Sequence, residues 1–164
     1  MDIVTGLAVV IGVMGAIATW AAVTIGSPYI LIWAIFVAWG SFYHCGGKDA
    51  GLQKSVAANI WGVICAAVAL LAAQAMGVSA ITAGLSVGVS IVVLILGSKL
   101  PALSVIPSAV YGYASTAALV LLSGALTGGS GAIVQAAIAV AVSLVIGNVL
   151  GYVSEKVTGM VVTA

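Results

Sequence analysis

The sequence predicts an all-α polytopic membrane protein with six transmembrane helices, a 3+3 inverted repeat and both termini cytoplasmic. Three observations carry this. The 164-residue chain is 64 % hydrophobic and only 4 % charged, where a soluble domain carries about 25 % charged residues, and its mean hydropathy is +1.39. Gly, Pro, Ser and the few charges divide it into six apolar runs, each near the roughly 20 residues needed to cross a bilayer. All four lysines fall on one side of such a six-span chain. A transmembrane barrel would alternate in segments of about ten residues, and these runs do not.

The first run, roughly 4–24, follows Asp2 and stops at "IGSP" (25–28). Its leading "MDIVTG" lacks the positive stretch of a signal peptide, so it reads as a retained helix. The second, roughly 28–45, is Trp-rich and ends at "GGKDAG" (46–51), read as a charged turn. The third, roughly 53–76, ends at "MGVS", and the fourth, roughly 79–97, at "SKLPAL". The fifth, roughly 103–124, ends at "TGGSG", and the sixth covers roughly 132–153. Every connection is short, so the chain reads as a single domain over 1–164, with half-repeats 1–77 and 78–164.

With six spans, the second-to-third loop, the fourth-to-fifth loop and both termini share a side. Lys48 and Lys54, Lys99, and Lys156 belong to those three places. The positive-inside rule makes that side cytoplasmic.

An internal repeat is suggested by laying "IWAIFVAWGS" (32–41) over "IPSAVYGYAS" (106–115), which matches Ile32 with Ile106, Trp39 with Tyr113 and Ser41 with Ser115. Helices three and six each carry one asparagine, Asn59 and Asn148, out of register. A repeated three-helix unit must be inverted, because three is odd. Inverted repeats recur in transporters, with the solute path near their interface.

Composition also excludes functions. There is no arginine and the net charge is +1, so no basic patch is available for nucleic acid. "GGKDAGLQKS" is no phosphate loop, which needs Gly-Lys-Ser/Thr contiguous after a strand. Cys45 and Cys65 read as buried free thiols. The lone histidine, His44, stands beside Cys45 with no second His/Cys pair, so no metal site is expected, and His44 is left as a candidate for gating. Asp2, Asp49 and Glu155 all fall at the cytoplasmic boundary. No acid, base or nucleophile pair lies within the spans, so neither an enzyme nor a cofactor is expected, and ion coupling lacks its usual charged residues.

What remains inside is neutral and hydrogen-bonding. Trp39, Ser41, Asn59, Trp61, Tyr111, Tyr113, Ser115 and Asn148 are the candidates to line a solute path, because an amide or hydroxyl facing lipid costs several kcal/mol. The competing reading is structural: interfacial aromatic belts, and asparagines that tie helices together for about 1 kcal/mol each. "GLSVG" (84–88) and "GNVLG" (147–151) are small-xxx-small motifs that permit close packing. Helices one and four carry almost no strong polar groups, so they are expected to face lipid or a second copy. A homo-oligomer is expected.

Across "SFYHCGGKDAGLQKSVAANIWGVICA" (41–66), the Trp-rich helix, the Gly-Gly turn, Gly-Leu-x-Lys-Ser and the Ala-Asn helix resemble the YcdZ-like bacterial inner-membrane proteins. The similarity extends over essentially the whole chain, including Pro107 and Gly112. It implies a six-helix inner-membrane protein, but no established substrate and no defined site residues. His44-Cys45 and Lys48-Asp49 depart from the family pattern. In architecture the chain is also similar to the six-span amide and urea channels, although fold does not fix function. The expected function is a passive channel or facilitator for a small neutral polar solute, urea or short amides foremost. A secondary transporter and a non-transporting scaffold or subunit are the alternatives.

Overall fold

The computed structural model describes residues 2–163. It is an all-helical membrane protein of six α-helices: α1 (Ile3–Ile25), α2 (Ile32–His44), α3 (Lys48–Ala75), α4 (Ala80–Gly97), α5 (Ile106–Leu122) and α6 (Ser130–Thr163). The helix starts follow local chemistry. The Asp2 carboxylate accepts the Val4 and Thr5 amides at the head of α1. Ser79 and Thr82 form a reciprocal capping box on α4. Pro107 stands in the first turn of α5, where its missing N–H costs nothing.

Helices α1, α3, α4 and α6 are long and apolar enough to cross a membrane. The two others are shorter than the sequence suggests. α2 has 13 residues and α5 has 17, which at about 1.5 Å per residue give roughly 20 and 26 Å against a hydrocarbon core of about 30 Å. Both follow non-helical, proline-bearing segments: residues 26–31 with Pro28, and residues 98–105 with a 3-10 turn at Pro101–Leu103.

Two further boundaries differ from expectation. The turn placed at 46–51 is only residues 45–47, because Gly46 and Gly47 adopt positive φ angles of 89° and 67° and reverse the chain at once. Lys48, Asp49 and Lys54 therefore ride on the first turns of α3. α6 runs on to Thr163 instead of stopping near 153. Its last turns are held because Ser154 and Thr158 are buried and Glu155 accepts the Lys48 amide at 2.7 Å, capping α3.

Contacts fix the directions. Leu31 meets Ser143 and Trp39 meets Ser154, so α2 and α6 run parallel. Asn59 meets Asn148 and Lys48 meets Glu155, so α3 and α6 are antiparallel. α3 packs along α5 as α6 packs along α2, α4 attaches to α3 as α1 attaches to α6, and α3 crosses α6 at the centre. Exchanging the first three helices with the last three maps this pattern onto itself. The outer helices α1 and α4 are mostly exposed, whereas α3 and α6 form the core.

Close approach at the centre rests on glycine. A Cβ on Gly62 of α3 would overlap the Ala109 carbonyl of α5, and one on Gly147 of α6 would overlap the Ile35 carbonyl of α2. Ile35 and Ala109 correspond in the same frame that matches Ile32 with Ile106.

Candidate functional site

The buried polar side chains collect where α2, α3, α5 and α6 meet. Ser41 of α2 is the hub: its hydroxyl lies 2.7 Å from Ser55 Oγ and 2.9 Å from Ser108 Oγ. Asn59 Nδ2 donates to Ser41 Oγ at 3.2 Å and to the Ser108 carbonyl at 2.7 Å. Asn148 Nδ2 donates to Asn59 Oδ1 at 2.8 Å and to the Leu144 carbonyl at 2.9 Å. Asn148 Oδ1 accepts nothing among the described residues. An amide oxygen buried without a donor costs about 1–3 kcal/mol.

The cluster is dry. Ser41, Ser55, Ser108 and Asn148 are 0 % exposed and Asn59 is 1 % exposed, so the cluster is closed to bulk water. In this conformation Ser41, Asn59 and Asn148 fill the centre of the bundle and line no open passage. The physical reason is the glycine contacts above, which bring α3 onto α5 and α6 onto α2 until their backbones touch.

The remaining sequence candidates flank this centre. Trp39 is buried and donates from Nε1 to Ser154 Oγ at 2.9 Å, a hydroxyl that Tyr43 also meets at 2.8 Å. Tyr113, the repeat partner of Trp39, reaches a non-equivalent helix: its hydroxyl lies 2.8 Å from Ser90 Oγ of α4. Ser115 is buried on α5. Trp61 points away from the centre, donating to the Leu94 carbonyl of α4 at 3.2 Å. It lines an apolar groove of about 500 Å³ between α3 and α4. The swapped position, between α1 and α6, holds a second groove of about 340 Å³. Tyr111 reaches toward the lysine-bearing end, its hydroxyl 3.1 Å from His44 Nδ1. With Cys45 Sγ at 3.2 Å from Ser108 Oγ, this pair joins α2 to α5 across the two halves.

Along the bundle axis the environment changes in layers. At the end opposite the lysines, depressions of about 480 and 380 Å³ lie beside α5 and the starts of α2 and α6. Beneath them Val63, Val140 and Leu144 form a buried apolar layer. The asparagines come one helical turn further in, then Ser41, Ser55 and Ser108, then His44. Such a sequence of vestibule, apolar constriction and neutral hydrogen-bonding groups can pass an uncharged polar molecule only if the constriction parts.

Ser55, Ser90 and Ser154 are partners that the sequence does not single out. Spacing offers a signal for two of them. Ser55 and Asn59 are four apart on one face of α3, and Ser154 and Thr158 are four apart on α6.

No curated protein and no solved structure matches the chain. A family model does match it, over residues 8–159, which is nearly its whole length. The chain belongs to the family described as "Protein of unknown function (DUF1097)".

Proposed function

We propose that this is a passive facilitator for a small neutral polar solute, of the urea and short-amide class, whose path runs between two inverted half-repeats, 1–77 and 78–164. The observation that carries it is the uncharged hydrogen-bonding cluster at the crossing of α3 and α6, buried between halves whose helix contacts interchange. Inverted halves with a polar centre are a recurring transport design. Neutral amides and hydroxyls replace a solute's water contacts without holding it too tightly to leave. The resemblance to YcdZ-like proteins and the architectural likeness to six-span amide and urea channels support the same reading. So does the placement of the lysines, which reads as both termini cytoplasmic in a bacterial inner membrane.

The path is closed in this conformation, so conduction requires the α3–α5 pair to move against the α6–α2 pair where α3 crosses α6. His44 and Tyr111, spanning the halves at the lysine end, are the proposed gate on that side. Trp39, Ser41, Asn59, Tyr111, Tyr113, Ser115 and Asn148 are proposed to line or adjust the opened path, whereas Trp61 faces the α3–α4 groove. The outer helices α1 and α4 supply the contacts of a homo-oligomer.

The closed centre also favours a second reading, a secondary transporter that never opens to both sides at once. Saturation and counterflow would select it over a facilitator. The experiment is solute flux in proteoliposomes, with Asn59→Leu and Tyr113→Ala expected to change it. If every neutral solute tested crosses at the rate of protein-free vesicles, the remaining reading is a scaffold or subunit.

A further inference from the structure

We infer that the Asn59–Asn148 pair is the solute-binding element itself and that it recognises a short aliphatic primary amide in preference to urea. The inference rests on the transport reading above. Both side chains are fully dry, at 1 % and 0 % exposed. They are joined by one hydrogen bond, Asn148 Nδ2 to Asn59 Oδ1, at 2.8 Å. Asn148 Oδ1 beside it has no donor among the described residues. The other bonds made by the two amides run from Asn59 to Ser41 of α2 and to the Ser108 carbonyl of α5, and from Asn148 to the Leu144 carbonyl of its own helix.

Parting the α3–α5 pair from the α6–α2 pair breaks the Asn59–Asn148 bond and the Asn59–Ser41 bond, and exposes a defined set of groups. Asn148 Oδ1 and Asn59 Oδ1 become two vacant acceptors, and Asn148 Nδ2 and Asn59 Nδ2 each regain one N–H to donate. Two acceptors and two donors are the complement of R–C(=O)–NH2, which offers two N–H groups and a carbonyl oxygen with two lone pairs. No lysine or carboxylate is present to neutralise an ion here, so charged amines and acids are excluded by desolvation.

The next turn selects the R group. Val63 is four residues beyond Asn59 on α3, Leu144 is four before Asn148 on α6, and the two belong to one buried apolar cluster on the vestibule side. An alkyl group is received there, whereas the second NH2 of urea is left without an acceptor. Asn148 Oδ1 is the atom that the solute satisfies, and in the closed state it waits unpaired.

The test uses the full chain in proteoliposomes and two isomers of equal composition, propionamide and N,N-dimethylformamide, with urea as a third probe. Shrink–swell light scattering reads the permeability above protein-free vesicles. Propionamide is expected to exceed dimethylformamide, which has no N–H, by about tenfold, the worth of a net hydrogen bond, and to exceed urea. In Asn148→Leu the ratio of the isomers is expected to fall to about one. Equal protein-dependent rates for the isomers in the unsubstituted protein, with flux present, would overturn the inference and leave the transport reading standing. Undiminished discrimination in Asn148→Leu would also overturn it. Absence of protein-dependent flux for all three solutes would overturn the transport reading and this inference with it.

Discussion

Gly62 and Gly147 do the same work in opposite halves of the molecule. Each lets a core helix touch the backbone of a short helix, Gly62 at the Ala109 carbonyl and Gly147 at the Ile35 carbonyl. A methyl group at either position has nowhere to go, since the obstacle is backbone. Gly62→Ala and Gly147→Ala are each expected to destabilise the fold by about 3 kcal/mol, the upper range for overpacking. Gly84→Ala and Gly88→Ala, whose Cβ atoms would meet nothing within 4 Å, are expected to be silent. Thermal unfolding in detergent, read by circular dichroism, checks both pairs.

The Glu155 carboxylate closes the lysine-bearing end by accepting the Lys48 amide, while Asp49 accepts a bond from the Tyr152 hydroxyl at 2.7 Å. Glu155→Ala leaves the head of α3 without its cap and is expected to cost about 1 kcal/mol. Amide exchange at Lys48 and the following turn should accelerate, while exchange at Asn59 stays slow. Uniform acceleration along α3 would contradict a local cap.

The direction of α1 through α6 puts the segments around 76–79 and 123–129 at the end without lysines. Ser79→Cys and Thr127→Cys are expected to react with an impermeant maleimide added outside intact cells, and Lys99→Cys only after lysis. The reverse pattern would invert the proposed orientation.

At the start of α1, hydrogen bonds from the Thr5 hydroxyl and the Thr5 and Val4 amides hold the Asp2 carboxyl below its ordinary pKa. A carboxylate depressed on folding contributes stability above its unfolded pKa. That contribution is lost as pH falls through the depressed, folded value. The first turn of α1 is thus expected to fray only in acid below the usual carboxylate range, with Val4 and Thr5 amide exchange as the reporter. Asp2→Ala should remove the pH dependence.

The membrane class, the six helices and the gathering of lysines at one end can all be read from composition and punctuation, because hydropathy is a sum over many residues. The repeat frame pairs Trp39 with Tyr113, but Trp39 bonds a serine of α6 and Tyr113 one of α4, helices that do not exchange under the repeat. The lengths of α2 and α5 are less legible, since apolar residues continue through the extended segments before them. The end of α6 is hidden for the converse reason: Glu155 and Lys156 read as a boundary, yet Glu155 is recruited by α3. Least legible is the meeting of Asn59 with Asn148. They sit out of register in the repeat, and only the crossing of α3 over α6 brings them face to face. Whether polar side chains border a passage or fill it depends on helix separation, which glycines far apart in sequence decide.

Lys48, Lys54, Lys99, Lys156, Asp2, Asp49 and Glu155 all belong to one end of the bundle. Carrying an elementary charge through the membrane field is worth about 2.3 kcal/mol per 100 mV, and here no such charge rides on the parts that must shift. The proposed parting of the α3–α5 and α6–α2 pairs would therefore be electrically silent. Flux should be indifferent to an imposed transmembrane voltage, and no gating current should accompany opening.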